Sequence, residues 1–79
     1  MEDGLYLFTT KTCPNCHAAK EYLKNLTFGI VDAEENAELT QEFGILQAPT
    51  LIEIKKGIAK KHVNASNIKR FAEEQLVCL

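Results

Sequence analysis

The chain has 79 residues, 46% of them hydrophobic and 25% charged, and nine basic against eleven acidic side chains leave a net charge of −2. A chain of this size makes one domain, over residues 1–79, that buries roughly 60% of its unfolded surface, and its apolar content excludes disorder. No Lys/Arg block could neutralise a row of phosphates and no apolar run is long enough to span a bilayer, which argues against nucleic-acid and membrane partners.

The start Met1-Glu2-Asp3-Gly4 lacks the positive charge of a secretory leader, and Leu5 to Phe8 is too short for its apolar segment, so a cytoplasmic location is expected. Residues 5–9, Leu-Tyr-Leu-Phe-Thr, are continuously apolar and aromatic without alternation, the pattern of a central strand covered on both faces. From Cys13-Pro14 onward, Ala18, Ala19, Tyr22, Leu23 and Leu26 recur at spacings of three and four and predict a first helix that begins at the cysteines. Pro14 is tolerated in the first turn, where its missing N–H would have had no partner.

Residues 27–32 predict a second strand, parallel to the first because a helical crossover reaches it. Asn36 is placed to cap a short helix carrying Leu39 and Phe43, closed by Gly44 in a left-handed conformation. Ile45 to Ala48 lead into Pro49. Thr50 to Ile54 and Ile58 to Val63 predict an antiparallel hairpin turned by Lys55-Lys56-Gly57. Ile68, Phe71, Ala72 and Leu76 mark a final amphipathic helix with Asn64 or Ser66 as its cap. The expected class is α/β, with a four-stranded mixed sheet in the order βαβ-α-ββα flanked by helices.

Three cysteines are an odd number for a disulfide framework, and a reducing compartment keeps thiols free unless they do redox work or hold metal. The Cys13-x-x-Cys16 spacing at a strand-to-helix junction favours redox work. A thiol with a pKa of about 8.5 is mostly protonated at neutral pH, and the unpaired N–H groups and positive dipole end of the first helix would favour its anion at Cys13. Cys16, a turn inside the helix, is expected to be more buried. The two would act in sequence, Cys13 attacking a substrate disulfide and Cys16 resolving the mixed disulfide. A closed zinc site needs four ligands, and only Cys78, His17 and His62 remain, without a second paired spacing.

The segment Phe8-Thr9-Thr10-Lys11-Thr12-Cys13-Pro14-Asn15-Cys16-His17-Ala18-Ala19-Lys20 resembles the active-site segment of glutaredoxins and of the small glutaredoxin-like thioredoxins of anaerobes and archaea. Phe43 to Leu51 is similar to the segment in which this superfamily places a cis-proline opposite its cysteines. The resemblance implies a thioredoxin fold and a cis Ala48-Pro49 bond. It also implies that Pro49 packs beside the cysteine pair and that the Ala48 backbone pairs with an extended stretch of substrate. Lys11, Thr12, Pro14 and Thr50 complete the expected substrate-binding set, Lys11 as a cation able to lower the Cys13 thiol pKa further.

Glutathione-binding members carry a basic residue three positions before the first cysteine, where this chain has Thr10, with Lys11 one place later. They also carry a Gly-Gly pair where this chain reads His62-Val63-Asn64-Ala65-Ser66-Asn67. The C-G-P-C centre and preceding tryptophan of ordinary thioredoxins are absent as well. The resemblance therefore implies protein disulfide substrates, thioredoxin reductase as electron donor and ribonucleotide reductase as an acceptor, in a monomer needing no cofactor and no metal. The rival readings are a glutathione-dependent glutaredoxin, a metal or iron-sulfur carrier using Cys13 and Cys16 across a dimer, and a redox-sensing or docking domain with little turnover. Of the remaining candidates, His17 is expected to face solvent and Tyr6 and Tyr22 to lie in the core or at its edge. Cys78 is expected to be a frayed thiol without function, and Glu34, Glu35 and Glu38 to be a solvated helix start.

Overall fold

The computed structural model describes residues 2–77, the side chains of 76 and 77 excepted. Cys78 and the expected core contact of Leu76 lie outside the described residues. Four strands and three helices alternate as β1 (Gly4–Thr9), α1 (Asn15–Tyr22), β2 (Gly29–Asp32), α2 (Ala37–Glu42), β3 (Thr50–Lys55), β4 (Ile58–Val63) and α3 (Asn64–Val77). This is the expected order. The sheet runs β2-β1-β3-β4, with β1 parallel to β2, antiparallel to β3, and β3 antiparallel to β4.

The continuous apolar run of β1 is explained by its central position. Leu7 faces a cluster with Ala19, Leu23, Leu51, Ile68, Phe71 and Ala72, so α1 and α3 cover that side. The adjacent Phe8 faces the other way, into a cluster with Ile45, Ile52 and Ile54, against which Leu39 and Phe43 at α2 pack. The Phe8 and Phe43 rings meet edge-on, with centroids 6.1 Å apart.

Three expected boundaries move. The first helix ends at Tyr22, and the apolar spacing reaches Leu26 because a tight turn continues it, the Leu26 N–H donating to Leu23 O at 2.8 Å. Tyr22 lies at the edge of the core, 37% exposed beside Ala19 and Leu23, with Lys69 Nζ 5.8 Å from its ring centroid. The second strand begins at Gly29 instead of residue 27, because pairing with β1 starts at Tyr6 opposite Gly29 while Phe28 turns into the core.

Helix α2 forms as expected, but Asn36 occupies the N-cap position without a side-chain cap bond. Its amide instead donates to Asp32 O at 2.9 Å, and Asp32 Oδ1 accepts the N–H groups of Glu34 and Glu35. Gly44, at φ +64°, ends the helix. Its N–H donates to Gln41 O and that of Ile45 to Thr40 O, a paired closure that leads Ile45 into the core beside Leu39. The hairpin turn is narrower than expected. Lys55 still pairs with Ile58, leaving Lys56 (φ +54°) and Gly57 (φ +78°) as a two-residue turn whose N–H groups donate to the Asp3 carboxylate. Asn64 caps α3, its Oδ1 accepting the Asn67 N–H at 3.3 Å.

Candidate active site

Thr9 ends β1 at the same edge of the sheet where Thr50 opens β3, since Phe8 stands opposite Thr50. The loop that leaves β1, residues 10–14, therefore emerges beside the loop that enters β3, residues 45–49. The first carries Cys13, joined to Cys16 by a disulfide across a Cα–Cα distance of 5.5 Å. Cys13 precedes Pro14, the N-cap of α1, and Cys16 is the second residue of the helix. Cys13 is half-buried, whereas Cys16 is 4% exposed, the asymmetry expected from their positions. Pro14 takes φ −69° at the cap, just ahead of the first helical residue Asn15.

The second loop carries the Ala48-Pro49 bond, which is cis. Pro49 is fully buried and Ala48 half-buried, so Ala48 is the member of the pair with accessible surface. Thr50 does not present its side chain outward. It is 1% exposed and its hydroxyl donates to Gln47 O at 2.6 Å, which braces the loop from within. Lys11, Thr12 and Pro14 are exposed around Cys13.

A sequence model of the glutaredoxin family matches residues 5–63, from β1 to the end of β4. The chain belongs to the glutaredoxin family. Among curated proteins no sequence matches it. Its fold is similar to that of a thioredoxin from Trypanosoma brucei brucei, with a TM-score of 0.71 and 21% identity over 95% of this chain and 74% of the other. The germline-specific thioredoxin Deadhead of Drosophila melanogaster gives a TM-score of 0.76 at 16% identity, over 92% of this chain and 78% of the other. The N-terminal domain of Synechococcus elongatus SasA gives 0.73 at 16% identity, over 100% and 89%. Similarity at this level establishes a thioredoxin fold, and the cysteine pair within it marks a thiol-disulfide oxidoreductase of the glutaredoxin/thioredoxin kind.

Within this glutaredoxin, Glu34 and Glu35 are exposed to solvent as expected, but they precede the helix. They lie in the turn before α2, where Glu34 Oε1 accepts the Lys11 N–H at 3.2 Å and Glu35 Oε1 lies 3.9 Å from Lys11 Nζ. Only Glu38 falls in the first turn of the helix. The contact crosses 23 positions of sequence, so no local pattern announces it. His17 is exposed on α1 as expected. His62 lies on β4, its Nε2 3.2 Å from Glu53 Oε1 and its ring 4.5 Å from that of Phe71. Among the described residues, no three His, Cys, Asp or Glu side chains gather as a metal site, and no helix is long and apolar enough to cross a membrane.

One exposed residue at this end of the sheet was passed over in sequence as part of the lead-in to Pro49. Leu46 is 97% exposed. The signal was present, because Ile45 and Leu46 are consecutive apolar residues in a non-helical segment, where neighbouring side chains cannot both face one core.

Proposed function

We propose that this glutaredoxin reduces disulfides in proteins by a two-thiol mechanism, with Cys13 as nucleophile and Cys16 as resolving thiol. The observation that carries the reading is the Cys13–Cys16 disulfide at the start of α1, one partner half-exposed ahead of the helix and the other buried in its first turn.

In the reduced protein the N–H groups of the first turn of α1 favour the Cys13 thiolate. It attacks one sulfur of the substrate disulfide, the S–S bond breaks, and the second substrate sulfur leaves as a thiolate that takes up a proton. Cys16 then loses its proton and attacks the Cys13 sulfur, expelling the first substrate sulfur, which is protonated in turn. The substrate gains two electrons and two protons, and the protein is left as the Cys13–Cys16 disulfide. The Ala48 backbone, beside Pro49, pairs with an extended stretch of the substrate, and Lys11, Thr12 and Pro14 border the attacking sulfur.

We assign the return of electrons to thioredoxin reductase, with ribonucleotide reductase among the acceptors and the cytoplasm as a reducing setting that suits a free dithiol. Three features support a protein donor over glutathione. Thr10 stands where a basic residue would hold the tripeptide, Lys11 is drawn toward Glu35, and Asn64-Ala65 replaces the glycine pair.

The test offers the oxidised protein either NADPH with thioredoxin reductase or glutathione with its own reductase. Faster reduction by the first is expected, and fast reduction by glutathione alone overturns the donor assignment. Separately, Cys16→Ser should accumulate a mixed disulfide on Cys13, and failure to trap any protein thiol there overturns the two-thiol mechanism.

A further inference from the structure

Leu46 is the most exposed large apolar side chain among the described residues, at 97%, and it stands on the loop that enters β3. Its neighbours explain why it points outward. The closure of α2 directs Ile45 into the cluster with Phe8 and Ile52, and the Thr50 hydroxyl holds the far end of the loop to Gln47 O. With Ile45 inward and Pro49 and Thr50 buried, the segment between them has no room to turn Leu46 into the core. Leu46 also borders a shallow hollow of about 240 Å³, lined further by Ile45, Gln47, Lys61 and Val63.

The other exposed large apolar residues are placed differently. Ile30 is on the edge strand β2, Ile58 follows the hairpin turn, and Tyr22 has Lys69 over its ring. Leu46 alone stands two residues before Ala48, whose backbone receives the substrate in the function proposed above. Gln47, Ala48 and Pro49 form a bend, so Leu46 and Ala48 share one short loop. A substrate strand that pairs at Ala48 passes within reach of Leu46, main-chain bonds supplying affinity and the side-chain contact supplying choice.

We propose that Leu46 is a specificity-determining residue, selecting protein disulfides whose reactive cysteine has an apolar side chain within two residues of it. The inference rests on the oxidoreductase reading, and its test separates the two. The probes are short peptides carrying one cysteine in disulfide linkage to 2-mercaptoethanol, with Leu or Ser at the flanking positions, together with 2-hydroxyethyl disulfide, which has no flanks.

The wild-type protein should reduce the Leu peptides with a kcat/KM about tenfold above the Ser peptides. Leu46→Ser should remove that preference, mainly through KM, while its rate with 2-hydroxyethyl disulfide stays at the wild-type value. Leu46→Met, which keeps an apolar surface, should retain the preference. Equal rates for Leu and Ser peptides in the wild type, or an undiminished preference in Leu46→Ser, overturn the assignment. If the wild-type protein reduces neither the peptides nor 2-hydroxyethyl disulfide, the oxidoreductase reading itself fails and this inference fails with it.

Discussion

The backbone N–H of Asn64 donates to the carbonyl oxygen of Pro49 at 2.9 Å, tying the first residue of α3 to the loop that enters β3. The same residue caps its helix through Oδ1 and holds φ +66°, a conformation that asparagine tolerates better than most residues. Asn64→Ala keeps the bond to Pro49 but loses the cap and suits the backbone less well, a loss of about 1–2 kcal/mol in denaturant unfolding. Asn64→Gly, which adopts this conformation freely, should lose only a few tenths.

Phe8 is fully buried at the centre of the sheet and meets Phe43 edge-on. Phe8→Ala removes a ring that the rigid sheet cannot close over, and about 3–5 kcal/mol is expected to be lost. Against a total of about 5–15 kcal/mol for an ordinary domain, that is enough to lower the urea midpoint sharply.

The hairpin turn carries a lysine where the backbone asks for glycine or asparagine. Lys56 sits at φ +54° and Gly57 at φ +78°. Lys56→Asn should stabilise the protein by about 0.5–1 kcal/mol, because Asn-Gly suits this turn and the N–H bond to Asp3 is kept. Gly57→Ala should cost about 1 kcal/mol although open space surrounds the added methyl, since the penalty is conformational. Thermal unfolding of the two variants should therefore shift in opposite directions.

Lys11 and Glu35 are 71% and 68% exposed, and their charged atoms are 3.9 Å apart. A pair this open to solvent contributes little, so Lys11→Ala should change unfolding stability by less than about 0.5 kcal/mol. With Glu35 drawing the ammonium toward itself, the same variant should reduce 2-hydroxyethyl disulfide within about threefold of the wild-type rate. A larger fall would mean that the Lys11 charge acts on Cys13 despite its partner.

What the sequence determined by itself was local. An unbroken apolar run marked β1 as a strand covered on both faces, spacings of three and four marked α1 and α3, and Gly44 and Gly57 marked a helix end and a turn. Each signal lies within one helical turn or one strand, where side-chain geometry follows directly from residue order. The C-P-x-C motif and its place at a strand-to-helix junction were legible for the same reason. The tertiary structure decided what depends on distant partners: that β1 lies between β2 and β3, that Glu34 holds the Lys11 loop, that the Thr50 hydroxyl turns inward, and that Tyr22 stays at the rim. It also sent Leu46 into solvent, because Ile45 took the core position and two adjacent residues of a non-helical segment cannot share it.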